Sequence, residues 1–257
     1  MIWGFRQMVL LSSFLAVASP SYAWGPSLDS KAKGLAHYIM AVCHDLNGES
    51  AQAISEYKKS IKFNALEPAP RLKLGAYYLR FDQISEAQVQ LKAAARISPE
   101  NPQVHYLLAL IYSSGHKYDL AASEYEIILK NTAKDDPANT SALYLLGSIY
   151  ADTNERSKAI ALFRQVLKIE PQNSEALNSL GYMYAEDGVH LDEAIRMVRK
   201  AIEIDPANGA YYDSLGWALY RQGKYPESLM VLQKAKTFIQ DEILDEHISV
   251  VYKALKK

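Results

Sequence analysis

Cysteine is nearly missing from this chain of 257 residues: Cys43 stands alone. One thiol cannot close an internal disulfide, so packing must hold the fold. Its neighbours place it in an apolar helical stretch, which predicts a small buried hydrophobe. It lies too far along the chain to be the lipid-bearing first residue of a bacterial lipoprotein. Charge of one sign is lacking as well. The 28 basic and 29 acidic residues leave a formal net charge of −1, so electrostatics gives no reason to expect nucleic acid or an anionic membrane as partner. The histidines His37, His44, His105, His116, His190 and His247 show no zinc-ligand spacing with cysteine or carboxylate. No phosphate-cradling glycine loop or nucleophile elbow occurs. Neither a cofactor, a metal nor a catalytic residue is expected.

Long apolar runs are also missing. The longest, Met8 to Ala18, falls short of the ~20 residues that a membrane-spanning helix needs. It follows Arg6 and precedes Ser19-Pro20-Ser21-Tyr22-Ala23, with small residues one and three places before a cut after Ala23. That layout predicts a secretory signal peptide over 1–23, with a retained membrane anchor as the alternative. Export to a bacterial periplasm, or secretion, is the expectation that follows. Residues 24–33 are expected to be a linker.

What the chain does contain is a period. A small residue follows a hydrophobic one at Met40-Ala41, Leu74-Gly75, Leu108-Ala109, Leu146-Gly147, Leu180-Gly181 and Leu215-Gly216. Successive small residues are 34, 34, 38, 34 and 35 positions apart, the mark of a stacked repeat array. Three residues after each comes a large side chain: His44, Tyr78, Tyr112, Tyr150, Tyr184 and Leu219. A second small column holds Ala53, Ala87, Ala121, Ala159, Ala194 and Ser228, each followed four places on by a bulky residue. Spacings of three and four are helical. Between the halves, Gly48, Asp82, Gly115, Asn154, Gly188 and Gly223 suit the left-handed backbone that ends a helix. Pro99, Pro137, Pro171 and Pro206 are expected to close second helices. Each unit reads as helix, tight turn, helix, short link.

The segment Tyr211-Tyr212-Asp213-Ser214-Leu215-Gly216-Trp217-Ala218-Leu219-Tyr220, with Gly223-Lys224-Tyr225-Pro226-Glu227-Ser228-Leu229 after it, resembles the consensus of the tetratricopeptide repeat family. Leu177 to Tyr184 does the same. The resemblance implies an all-α, right-handed superhelical solenoid with units at 34–67, 68–101, 102–139, 140–173, 174–208 and 209–241. Four extra residues are expected in the link at Asn131 to Asp136, and one in Gly188-Val189-His190-Leu191. Residues 242–257 form a further amphipathic helix, with Leu244, Ile248, Val251 and Leu255 on its apolar face. It is read as a cap over the open end, with a partner-binding tail as the alternative.

In the last unit, Tyr212, Leu215, Gly216 and Leu219 share one helical face, while Ala210, Asp213, Trp217 and Tyr220 share another. The family resemblance implies that the second face lines the concave side. Carried along the chain, that face predicts a peptide-binding groove of Tyr38, Leu72, Tyr106, Tyr144, Asn178, Tyr182, Asp213, Trp217 and Tyr220. Aromatic side chains lose few rotamers on binding and combine apolar area with a polar tip. Their alternative role is packing between repeats. The carboxylate clamp of the family's cochaperone members is absent, since Tyr38, Val42, Gln103 and Leu107 occupy the matching positions. A protein or peptide segment is the expected partner, and an adaptor or scaffold the expected role. Rival roles are a fixed subunit of an envelope assembly (pilus, secretion or cell-wall machinery) or, less in keeping with the residues, an enzyme.

Overall fold

The computed structural model describes residues 25–256; the expected signal segment and its cut lie outside them. Thirteen α-helices make up the described residues, with no strand among them. They are α1 (Leu28–Leu46), α2 (Ser50–Phe63), α3 (Pro68–Arg80), α4 (Ile84–Ile97), α5 (Pro102–Ser114), α6 (Tyr118–Asn131) and α7 (Pro137–Asp152). There follow α8 (Arg156–Ile169), α9 (Ser174–Asp187), α10 (Leu191–Ile204), α11 (Gly209–Arg221), α12 (Tyr225–Ala235) and α13 (Glu242–Leu255). Each odd-numbered helix up to α11 pairs with the next to form a hairpin. Hairpins touch only their neighbours in sequence, so the array is a solenoid.

One contact repeats through every hairpin. The small residue of the first helix faces the bulky residue of the second: Tyr57, Leu91, Tyr125, Phe163, Val198 and Leu232, none more than 1% exposed. A Cβ added to Gly75, Gly147, Gly181 or Gly216 would come within 3 Å of Leu91, Phe163, Val198 or Leu232 respectively. Four hairpins therefore close at a distance where even a methyl group would force a neighbour to shift, and the other two carry the buried alanines Ala41 and Ala109. Ser228, fully buried, donates its hydroxyl to the Gly216 carbonyl at 2.6 Å, which satisfies a polar atom at the tightest contact.

The two helix types start differently. Every first helix except α3 carries a side-chain N-cap: Ser27 for α1, Asn101 for α5, Asp136 for α7, Asn173 for α9 and Asn208 for α11. Second helices have none and instead follow a left-handed residue. That residue lies seven places after the small residue in every unit: Gly48, Asp82, His116, Asn154, Gly188 and Gly223. In the third unit it is therefore His116 (φ 54°), not Gly115. The column position sets the conformation there, overriding the side chain's reluctance.

Four further expectations need correction. Pro137 opens α7 behind the Asp136 cap, where a missing N–H costs nothing; it does not close α6. Three of the four extra residues of the third unit consequently extend α7, and only one lengthens the link. In the expected linker 24–33, Leu28 to Lys33 already form the first turns of α1. Finally, Cys43 is exposed, because α1 has no helix packed on its outer side.

Candidate functional site

The groove is built on the first helices, whose buried stripe fixes which side chains remain free. Tyr212, Leu215 and Leu219 are buried in α11 as the wheel requires. On the adjoining face, three of the predicted aromatics stand on the bulky residue of their own hairpin. Tyr38 tilts against Tyr57 at 5.9 Å between ring centroids. Tyr144 does so against Phe163 at 5.6 Å, and Tyr106 meets Tyr125 edge-on at 6.5 Å. Each ring thus packs internally on one side and keeps part of its surface open, 36% in Tyr106.

Two depressions span successive first helices on this face, besides a smaller one of 320 Å³ at Tyr38 between α1 and the end of α2. The first, of 440 Å³, lies between α3, α5 and the start of α7, lined by Leu72, Ala76, Tyr106, Leu107, Ile128 and Pro137 among others. Its chemistry is mainly apolar. The second, also of 440 Å³, lies between α7, α9 and α11 and reaches the link before α13. Asp152, Asn178, Tyr182, Asp213 and Asp241 line it together with Ser148 and Ile239. Burial, then the Glu186 and Asp213 carboxylates, push the Tyr182 phenol up to about 12.

The second depression is rich in acceptors. Asn178 Oδ1 is buried without a hydrogen-bond partner. Arg156 also lines it: its Nη2 donates to the Met183 carbonyl at 3.0 Å and pairs with Asp187 at 2.9 Å, while its Nε is buried without an acceptor. Among the described residues neither Asp152 nor Asp241 is ion-paired, although Asp241 caps α13 through the Ile243 amide at 2.7 Å. A buried unpaired acceptor costs free energy until a donor reaches it.

The far end of the predicted groove is occupied from within. His247 of α13 lies 2.8 Å from Asp213 Oδ1 through Nδ1. Its ring stacks on Trp217 at 4.2 Å and 18°, and Trp217 stacks in turn on Tyr220 at 5.0 Å. Trp217 and Tyr220 therefore help to dock α13 and line neither depression. His247 is only 7% exposed, and sequence reasoning missed it. The signal was its position, three after Leu244 and four before Val251, both buried. Leu255, expected on the same face, is 41% exposed.

A second missed set ties helix to helix in the N-terminal half. His37 meets Glu56 at 2.6 Å, Arg71 donates to Gln90 at 3.1 Å, and His105 meets Glu124 at 2.6 Å, each pair 19 residues apart. A hydrogen bond from Lys59, then that from His37, holds Glu56 below the usual carboxylate range. Leu143, Leu177 and Tyr212 fill the same column in later units and are buried. These polar pairs clamp hairpins and lie away from both depressions.

Comparison with known proteins agrees with this geometry. Among curated proteins the chain is 28% identical over 170 residues to the anaphase-promoting complex subunit CDC16 of Saccharomyces cerevisiae, covering 65% of this chain but 20% of that subunit. It spans about a fifth of that relative's length. Among solved structures, a tetratricopeptide repeat protein from Parabacteroides merdae superposes with a TM-score of 0.66 at 17% identity, over 88% of this chain and 93% of that one. YrrB, a TPR protein with an unusual peptide-binding site, gives 0.61 at 19% identity, over 75% and 97%. Family models described as tetratricopeptide repeat match residues 72–136, 140–173, 174–208 and 209–248, well over half of the chain. The protein belongs to the tetratricopeptide repeat family.

Proposed function

We propose that this protein is an exported, non-catalytic adaptor of a bacterial cell envelope, periplasmic or secreted. It holds an extended or helical segment of a partner protein along the concave face of its first helices. The observation that carries the reading is the pairing of an apolar depression at Leu72, Tyr106 and Leu107 with an acceptor-lined one at Asn178 and Tyr182. A segment that offers an apolar side chain to the first and an ammonium or guanidinium group to the second satisfies both. The peptide-binding site of YrrB, on the same fold, supports the mode of recognition.

Crosslinking in the native host, pull-down and mass spectrometry identify the partner. Calorimetry with the captured segment then tests the groove. Tyr106→Ala and Tyr182→Ala each weaken binding by about 1–2 kcal/mol, the range of aromatic interface residues. Unchanged affinity in both variants rules the groove out. A partner that co-purifies at fixed stoichiometry and never exchanges makes the protein a permanent subunit of an envelope assembly instead.

A further inference from the structure

The two ends of the solenoid are finished differently. At the C-terminal end, α13 buries Leu244, His247 and Val251 and leaves Asp245, Glu246, Ser249, Lys253 and Lys256 exposed. At the N-terminal end, α1 buries only Gly34 and Ala41. Its outer face carries Leu28 at 86% exposure, Leu35 at 58%, Ile39 at 54% and Leu46 at 82%. Ala32, Ala36 and Cys43 are exposed beside them. At 100° per residue the four large side chains fall within about 40° of arc, in a stripe about 28 Å long. Charges keep to its rims, Lys31 on one side and the Asp29–Lys33 pair on the other. An array needs a polar outer face at each end, and an uninterrupted exposed apolar strip marks a contact surface.

We propose that a second copy of this chain covers the stripe, α1 against α1 in antiparallel orientation about a two-fold axis. The spacing argues for self-recognition. Leu28, Leu35, Ile39 and Leu46 are separated by seven, four and seven residues, an order that reads the same in both directions. Antiparallel pairing sets Leu28 opposite Leu46 of the second copy and Leu35 opposite Ile39. That is the self-complementarity a two-fold interface demands. A head-to-tail arrangement would press the apolar stripe against the charged face of α13, desolvating Glu246, Lys253 and Lys256 without supplying them a partner. The chain's own N-terminus is a poor cover: a cut after Ala23 leaves Trp24 to Ser27 ahead of α1, at most about 14 Å of extended chain. This inference rests on the α1 stripe and on cleavage after Ala23, part of the export reading above, and on neither of the two 440 Å³ depressions.

The test is sedimentation equilibrium of protein purified after export, its N-terminus read by mass spectrometry. The parent chain is expected at twice its monomer mass. Ile39→Asp raises the dimer dissociation constant at least about 100-fold, because a two-fold interface registers each change twice. Helicity stays unchanged, since the side chain is exposed. Val89→Asp, at an equally exposed apolar site on α4, leaves association intact. A monomer at every concentration overturns the proposal, as does a dimer indifferent to Ile39→Asp. A monomer that retains residues 1–23 also overturns it and assigns the stripe to that segment.

Discussion

Asp213 and His247, 34 residues apart in sequence, meet at 2.8 Å where the last repeat touches the terminal helix. The pair turns α13 from a loosely attached tail into the closing element of the array, with the His247 ring stacked on Trp217. His247→Ala removes the hydrogen bond and the stack and leaves a carboxylate half-buried. It should destabilise the C-terminal end by about 1–3 kcal/mol. Amide exchange across α13 speeds up while α3 to α6 stay protected; uniform protection in the variant would show that α13 docks without this pair.

Gly181 tests the close approach of the paired helices. A Cβ there would lie 2.7 Å from Val198 Cγ2 and 3.1 Å from the Ala194 carbonyl. Because one neighbour is backbone, the hairpin must open to admit a larger residue. Gly181→Leu is expected to cost about 1–3 kcal/mol through overpacking and to split thermal unfolding into more than one step, since each hairpin rests only on its neighbours. Melting that matches the parent would count against the contact.

Alkaline pH reads out the buried phenols. Tyr125, 1% exposed, is pushed up to about 12, first by burial and then by the neighbouring Tyr106. Tyr182 is pushed up to about 12 as well. Above pH 10 the unfolded chain loses these protons while the folded chain keeps them, so folding stability falls as pH rises. The contribution is intact below pH 10 and lost between about 10 and 12. Tyr125→Phe should flatten the decline by up to about 1.4 kcal/mol per pH unit. Denaturant titrations at pH 9, 10 and 11 measure it, and an unchanged slope would contradict the burial argument.

Much of the fold was legible in the sequence because a repeat presents each structural demand several times. The small and bulky columns mark the same contact in every hairpin, so one weak match such as Met40-Ala41 does not obscure the pattern. The errors fall where a residue type was read without its column. Gly115 looked like the left-handed residue, yet the register assigns that conformation to His116. Pro137 looked like a stop because the proline of other units is one, but behind Asp136 it is a start. Cys43 was expected to be buried because its helical neighbours are apolar, and an end helix lacks the packing partner that would bury it.

The site was legible only in part. Helical geometry could assign Tyr38, Tyr106, Tyr144 and Tyr182 to one face, since that follows from spacing alone. It could not show that Trp217 and Tyr220 are taken up by α13, because that contact depends on where a non-repeating helix lands. Trp217→Ala is accordingly expected to loosen α13 before it affects any ligand, with the same exchange signature as His247→Ala.

Whether the concave face grips a partner segment is read out by site-specific photocrosslinking in the native host. A photoreactive phenylalanine analogue replaces Tyr106, Tyr182 or, as an outward-facing control on α6, the exposed Glu126. Adducts with one and the same polypeptide are expected from Tyr106 and Tyr182, and none from Glu126. Adducts from Glu126 alone, or different polypeptides captured at Tyr106 and Tyr182, would contradict it.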